Sequence, residues 1–284
     1  MRTRICLRKK SSALAAVLAL LFASPFQNTS AQTSIHLNDV PRETIEARLR
    51  SFSRKDAERE QILKTTFQDV GCRGEHLSEQ SVKRAKLPNL ICVLPGSTDS
   101  EIIVGAHFDH VPEGSGVVDN WSGAAMLASF YQALAAEPRK HTFILIAFSG
   151  EEEGLFGSEE YAKQLAPAQI TKIQAMISLD SLGMGPTKIW LHHSDHHLAD
   201  LLYGVAKNMN ISLGVVNADE VGDDDSSSFS KRKVPTVMIH SVTQENFPVL
   251  HSKRDGISAI KMADYFDSYR LISTYLAFLD STLN

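Results

Sequence analysis

Apolar positions along this chain recur with two different periods. Within residues 41–66, Ile45, Leu49 and Phe52 fall three and four apart, and Pro41 suits a first helical turn, so this stretch predicts one helix. Residues 89–94 and 101–106 read as strands, with the turn Gly96-Ser97-Thr98-Asp99 between them. Residues 122–136, rich in Ala, Leu and Met, predict a helix, residues 142–148 a dense apolar strand, and residues 158–165 a short helix. Strands are expected at 175–179, 189–191 and 234–239, and helices at 198–208 and 257–279. Strands alternate with helices, and several strands are apolar throughout. That pattern predicts an α/β fold, a single-domain, three-layer α/β/α sandwich with a mostly parallel mixed central sheet covered on both faces.

The first 31 residues do not share this pattern. Arg2, Arg4, Arg8, Lys9 and Lys10 precede an unbroken apolar run of eleven residues, 13–23, followed by Pro25 and small polar residues up to Ala31. This is the tripartite layout of a secretory signal peptide, and eleven apolar residues are short of the about 20 that span a bilayer. Residues 1–31 are therefore expected to be removed, leaving residues 32–284 as a periplasmic or secreted catalytic domain with no membrane attachment. Losing five of the 29 basic residues leaves 24 against 33 acidic ones, a net charge of −9 with His neutral. Nothing in that balance suggests nucleic-acid binding, which favours basic patches. Cys72 and Cys92 are either one disulfide of an exported protein or two unpaired thiols, one of them in an apolar strand.

Candidate chemistry lies where strands end, the edge at which sites gather in sheets of this kind. Strand 101–106 runs into His107-Phe108-Asp109, a pair able to supply a metal ligand and a carboxylate that orients it. Asp119, in GVVDNWSG, precedes a predicted helix, where Asp119, Asn120 or Ser122 also reads as an ordinary cap. Strand 142–148 delivers Glu151-Glu152-Glu153, which taken alone is a solvated acidic loop, and strand 175–179 delivers Asp180. The chain after strand 234–239 leads to His251. Each feature has an ordinary explanation, but four segments placing His, Asp or Glu beside apolar strands together point to a metal site. Two histidines and several carboxylates suit zinc, with cobalt or manganese as substitutes, and five ligands fit two ions if one carboxylate bridges them.

Five stretches in order, GAHFDH, GVVDNWSG, SGEEEGLFGS, ISLDSLG and LHSKRD, resemble the secreted co-catalytic di-zinc aminopeptidases, family twenty-eight of the metallopeptidases. The resemblance covers about residues 89–255. It implies two zinc ions per chain, one on His107 and Asp180, the other on Glu152 and His251, with Asp119 bridging. It implies Asp109 as the partner of His107, Glu151 as general base, and a supporting role for Asp255. It also implies release of one N-terminal residue at a time from a peptide or aminoacyl substrate, by a compact enzyme expected to be a monomer.

The sequence departs from the family pattern in two places. Trp121 replaces a small residue and either walls the substrate pocket or packs in the core. Asp224-Asp225-Ser226, ahead of Phe229, stands where many members carry Ser-Asp-His. His192, His193, His196 and His197 are expected on a surface loop, His110 at the rim of the site, and His240 either supporting the site or in the core. Three alternatives remain. A di-zinc carboxypeptidase or amidohydrolase of the family-twenty type would need a longer gap than the twelve residues between His107 and Asp119, and a lid domain. A glutaminyl cyclase on the same fold would use one zinc. A non-catalytic binding protein would not need all five ligands and Glu151.

Overall fold

The computed structural model describes residues 37–38, 40–217 and 222–284. The expected leader, residues 1–31, lies outside them. Eight strands form one sheet: β1 (Leu77–Gln80), β2 (Asn89–Leu94), β3 (Glu101–His107), β4 (Thr142–Phe148), β5 (Ile173–Leu179), β6 (Thr187–Ile189), β7 (Leu213–Val215) and β8 (Thr236–His240). Their spatial order is β1-β2-β4-β3-β5-β8-β6-β7. The central four, β4-β3-β5-β8, are mutually parallel. Antiparallel pairing brings β1 and β2 to one side and β6 to the other, and β6 in turn pairs parallel with β7.

The apolar run of β4 explains the layering. Phe143, Leu145 and Ala147 enter one core, while Ile144, Ile146 and Phe148 enter a second core on the opposite face. A strand with no polar face must be covered on both sides. The larger core is built with α1 (Arg42–Arg50), α2 (Asp56–Asp69), α3 (Ser122–Ala135), α6 (His196–Met209) and α8 (Met262–Thr282). The smaller involves α4 (Phe156–Gln164) and, through Phe229, α7 (Ser226–Ser230), with Ile170 of α5 (Pro167–Ile170) against it. The three-layer sandwich with a mixed sheet is thus the observed fold.

Some boundaries differ from those read in the sequence. The single helix expected over 41–66 is two, broken at residues 51–55, where the Ser53 hydroxyl accepts from the Lys55 N–H at 3.1 Å and donates to Glu58 at 2.7 Å. A serine that bonds nearby backbone offers the chain an alternative to the helical ladder. Residues 257–259 form a separate 3-10 turn, so α8 begins at Met262. Strands β1 and β7 carry too few apolar residues to show a period; they are held by pairing with β2 and β6.

Cys72, just beyond α2, and Cys92, in β2, form a disulfide with their Cα atoms 6.2 Å apart. It ties the helical layer to the sheet across 20 residues of chain. Closing a loop of that size stabilises by about 3 kcal/mol. Cys72→Ser is expected to lower the unfolding free energy by about that amount in urea titrations, and an unchanged midpoint would show the bridge to be energetically idle. No helix among the described residues is long and apolar enough to cross a membrane.

Candidate metal centre

Because β3, β4, β5 and β8 run parallel, their carboxyl ends share one edge of the sheet. Register sets His107 at the end of β3 directly beside Phe148 at the end of β4. Beyond Phe148 the chain turns at Gly150, with φ +73°, and again at Gly154, with φ +117°, values that favour glycine. Between them the Glu151 carbonyl accepts from the N–H groups of Gly154 and Leu155 at 2.8 and 2.9 Å, a tight turn that displays Glu151 and Glu152. Glu153 is exposed. Asp180 follows β5, and His251 lies on the segment after β8. Asp119 sits in the irregular turn 117–121 ahead of α3, and its peptide bond to Asn120 is cis. Asn120, not Asp119, plays the cap-like role: its Oδ1 accepts from Gly123 N–H at 3.0 Å, and its Nδ2 donates to the Leu179 carbonyl at 2.7 Å. Asp119 is thereby left free to face the strand ends.

The five expected ligands come together in two groups of three that share Asp119: His107, Asp119 and Asp180, and Asp119, Glu152 and His251. Asp119 Oδ1 lies 3.2 Å from His107 Nε2, while its Oδ2 lies 3.1 Å from His251 Nε2. Glu152 Oε2 is also 3.1 Å from His251 Nε2, and Asp180 Oδ2 is 3.7 Å from His107 Nε2. Glu151 is within reach too, its Oε2 3.8 Å from His107 Nε2. Two buried atoms of this cluster, His107 Nε2 and Glu152 Oε1, have no hydrogen-bond partner. Buried polar atoms are rarely left so. Imidazole nitrogens and carboxylate oxygens converging here, with orphaned lone pairs, fit zinc-type cations.

Electrostatics point the same way. Burial opposes a charge on His107, yet Glu151, Asp119 and Asp180 raise its pKa well above the usual value. His251 is pushed up to about 11, chiefly by its bonds to Asp119 and Glu152. Burial opposes the charge of Asp119, but the two histidines beside it hold its carboxyl well below the usual range. Burial lifts Asp180 to about 6, with the charge of Asp119 adding to the effect. Burial also raises Glu151, reinforced by Asp225, Asp180 and Asp119 against His107. A cluster that draws protons onto both of its histidines this strongly is short of positive charge, and protons and metal ions compete for the same atoms.

Asp109 differs from its expected part. Its backbone carbonyl, not its carboxylate, is the near neighbour of His107 Nδ1, at 3.2 Å against 3.8 Å. The carboxylate instead accepts from the N–H groups of Glu151 and Glu152, each at 3.2 Å. It clamps the β4 turn to the β3 end. Asp255 accepts from Val118 N–H at 2.7 Å and Asp119 N–H at 3.2 Å, so it supports the shared ligand through the backbone.

Trp121 is buried in the core, its Nε1 donating to the Arg48 carbonyl at 3.2 Å, and it does not wall the pocket. His110 is held by Asp56 at 2.8 Å. His240 is buried with Nε2 on the Val216 carbonyl and Nδ1 accepting from Val242 N–H, and burial depresses its pKa to about 4. Of the histidine cluster, His193 pairs with Asp224 at 2.6 Å and stacks on Trp190 at 3.9 Å, whereas His192, His196 and His197 lie toward the surface. Asp225 is buried, with Oδ1 unpartnered, and burial pushes it up to about 7.

A cavity of about 610 Å³ opens beside the carboxylates. Its lining includes an apolar wall of six residues, Leu155, Trp190, Met238, Val242, Phe247 and Leu250, and charged groups such as Glu159, Asp223 and Lys231 elsewhere. The sequence does not reveal this wall, because its residues come from separate segments with no common motif.

The profile of Peptidase family M28 matches residues 89–276. A "Probable leucine aminopeptidase" of Arthroderma benhamiae is 25% identical over 205 residues, 65% of this chain and 56% of that protein. The chain thus spans just over half the length of that relative. Among solved structures, the LapA aminopeptidase of Legionella pneumophila superposes with a TM-score of 0.74 at 18% identity, covering 85% of this chain and 71% of the other. An Acidobacteriales bacterium glutaminyl cyclase superposes with 0.69 at 20% identity, covering 88% and 99%. At such identities the superpositions establish a shared fold.

Proposed function

This chain belongs to peptidase family M28, and from that premise we propose that it is a metal-dependent exopeptidase that hydrolyses the N-terminal residue from peptides. The observation that carries the reading is the divided Asp119 carboxylate, one oxygen toward His107 and the other toward His251. A carboxylate so placed suits a bridge between two ions, one held with His107 and Asp180, the other with Glu152 and His251. Zinc held by these residues would supply Lewis acidity for the scissile carbonyl and the attacking water. Glu151 takes the proton of that water and passes it to the leaving amine nitrogen. Its burial, which favours the neutral acid, makes that second transfer easier, while cations nearby favour the carboxylate that begins the cycle. The Asp109 clamp holds Glu151 and Glu152 in register, so that base and ligand face the same atoms.

The acidic floor of the cavity, formed by Asp119, Glu151, Glu152 and Asp180, suits a substrate's positively charged amino terminus. Its apolar wall suits a large apolar first side chain. The reading extends to residues 1–31 as an export leader; the Cys72–Cys92 disulfide agrees with an oxidising compartment. A monomer would suffice, since all five ligands come from one chain.

A second reading is favoured by one observation: the chain covers nearly the whole length of the glutaminyl cyclase. One experiment separates the two. Purified protein is offered leucyl, phenylalanyl, lysyl and glutamyl amides, an N-acetylated leucyl peptide and a peptide beginning with glutamine. Leucine and phenylalanine should be released at least about tenfold faster than lysine or glutamate, a difference of about 1.4 kcal/mol and within what an apolar pocket supplies. The acetylated peptide should stay intact. Ammonia loss from the glutamine peptide without residue release would favour the cyclase, and release only from the carboxyl end would sink the aminopeptidase.

A further inference from the structure

Arg59, in the first turn of α2, is fully buried, yet makes no ion pair among the described residues. A buried charge is costly unless its donors are satisfied. Here they are met by main-chain carbonyls alone. Nε donates to the Ser53 carbonyl at 2.7 Å, Nη1 to Phe108 at 2.8 Å, and Nη2 to Ser115 at 2.6 Å and Gly116 at 2.9 Å. The Trp121 ring lies 5.5 Å from the guanidinium carbon. Three of the four carbonyls belong to the loop that joins His107 to Asp119, and they lie at its two ends.

The rest of that loop is arranged around this grip. Gly116 has φ +53°, and a Cβ there would fall 2.9 Å from Arg59 Nη2 and 2.4 Å from His110 Cβ, so both conformation and space call for glycine. Asp56, three residues earlier on the same helix, holds His110. On the far side Asp255 takes the N–H groups of Val118 and Asp119, and its own carbonyl accepts from Ser115 N–H at 2.7 Å. A cation therefore gathers the carbonyls before Asp119 and an anion gathers the amides around it, orienting the intervening peptide dipoles.

We infer that Arg59 is a positioning residue for the metal centre, fixing the distance and direction between His107 and Asp119 by gripping both ends of the loop between them. The inference rests on the two-ion reading above. The planar fork of arginine reaches several carbonyls at fixed angles; a lysine ammonium is a single point and cannot.

The test is Arg59→Lys in the full chain. Zinc affinity is measured by competition with a chromophoric chelator, and the melting temperature of the zinc-free protein is recorded alongside. Partners that orient ligands are worth about 10- to 100-fold in metal affinity. The expected result is a loss of that size in Arg59→Lys, with the zinc-free protein still folded and melting within a few degrees of wild type. Wild-type zinc affinity in the folded variant overturns the inference, as does a fall in zinc-free melting temperature with affinity retained, which would mark a structural role only. If Arg59→Lys does not fold without zinc, Arg59→Gln takes its place under the same criteria. A wild-type chain that binds no zinc overturns the two-ion reading, and this inference with it, and so is distinguishable from failure of Arg59 alone.

Discussion

Replacing Glu151 with glutamine is expected to leave zinc content unchanged and to lower kcat by about 100- to 10,000-fold, the range that one positioned acid–base group supplies. Glutamine has nearly the shape of glutamate but cannot accept the water's proton. Among the carboxylates facing the histidines, Glu151 stands farthest off, 3.8 Å from His107 Nε2 against 3.1 to 3.7 Å for the oxygens of Asp119, Glu152 and Asp180. At 3.8 Å against 3.7 Å for Asp180, distance does not separate base from ligand, and the role of base rests on the family resemblance. The competing arrangement is visible as well, since Glu151 can be grouped with His107 and Glu152. Metal analysis with kinetics decides between them. A fall in bound zinc in Glu151→Gln would make the residue a ligand, and full turnover would remove it from the chemistry.

Asp119→Asn should be more damaging to the metal than Glu151→Gln, although the change is a single heavy atom. The amide keeps one oxygen and replaces the other with an N–H donor, which repels a cation. Since each Asp119 oxygen faces a different histidine, either orientation deprives one half of the centre. The expected outcome is one zinc per chain or none. Losing about 4 kcal/mol of Lewis-acid stabilisation corresponds to a kcat lower by about 1,000-fold. Chelation of the wild-type protein should reproduce the loss and added zinc should reverse it. Two tightly held ions in Asp119→Asn, with activity near wild type, would show that the carboxylate does not bridge.

Much of this site is legible in the sequence because its residues follow strands, and strands apolar at every position announce themselves. Three adjacent parallel strands deliver His107, Glu151, Glu152 and Asp180 to one edge within a few residues of their ends, and each carries a short local signature. What the sequence hides is everything set by distance through space. The motif pairs the carboxylate of Asp109 with His107, two residues away, but the fold offers it the amides of Glu151 and Glu152, 42 and 43 residues on, and those are closer. Trp121 has no fixed place in the sequence because its partners, Arg48 and Arg59, lie on the first two helices. Arg59 itself looks like any charged residue in a polar helix; only the carbonyls that surround it distinguish it. The break between α1 and α2 is hidden because the apolar spacing continues through Phe52, while Ser53 interrupts the backbone.

The opposite edge of the sheet carries a different opportunity. There the turn at residues 95–100 is stitched to its neighbours by Ser97 N–H on the Arg139 carbonyl, Thr98 N–H on Lys140, and Thr142 N–H on the Ser100 carbonyl. None of the candidate ligands reaches it. The seven residues of β3 separate this turn from His107 by about 20 Å, at about 3.3 Å per residue. A fluorescent reporter, an immobilisation tag or a fused binding module joined at exposed Ser97–Asp99 would be carried at the edge of the sheet away from the candidate metal centre.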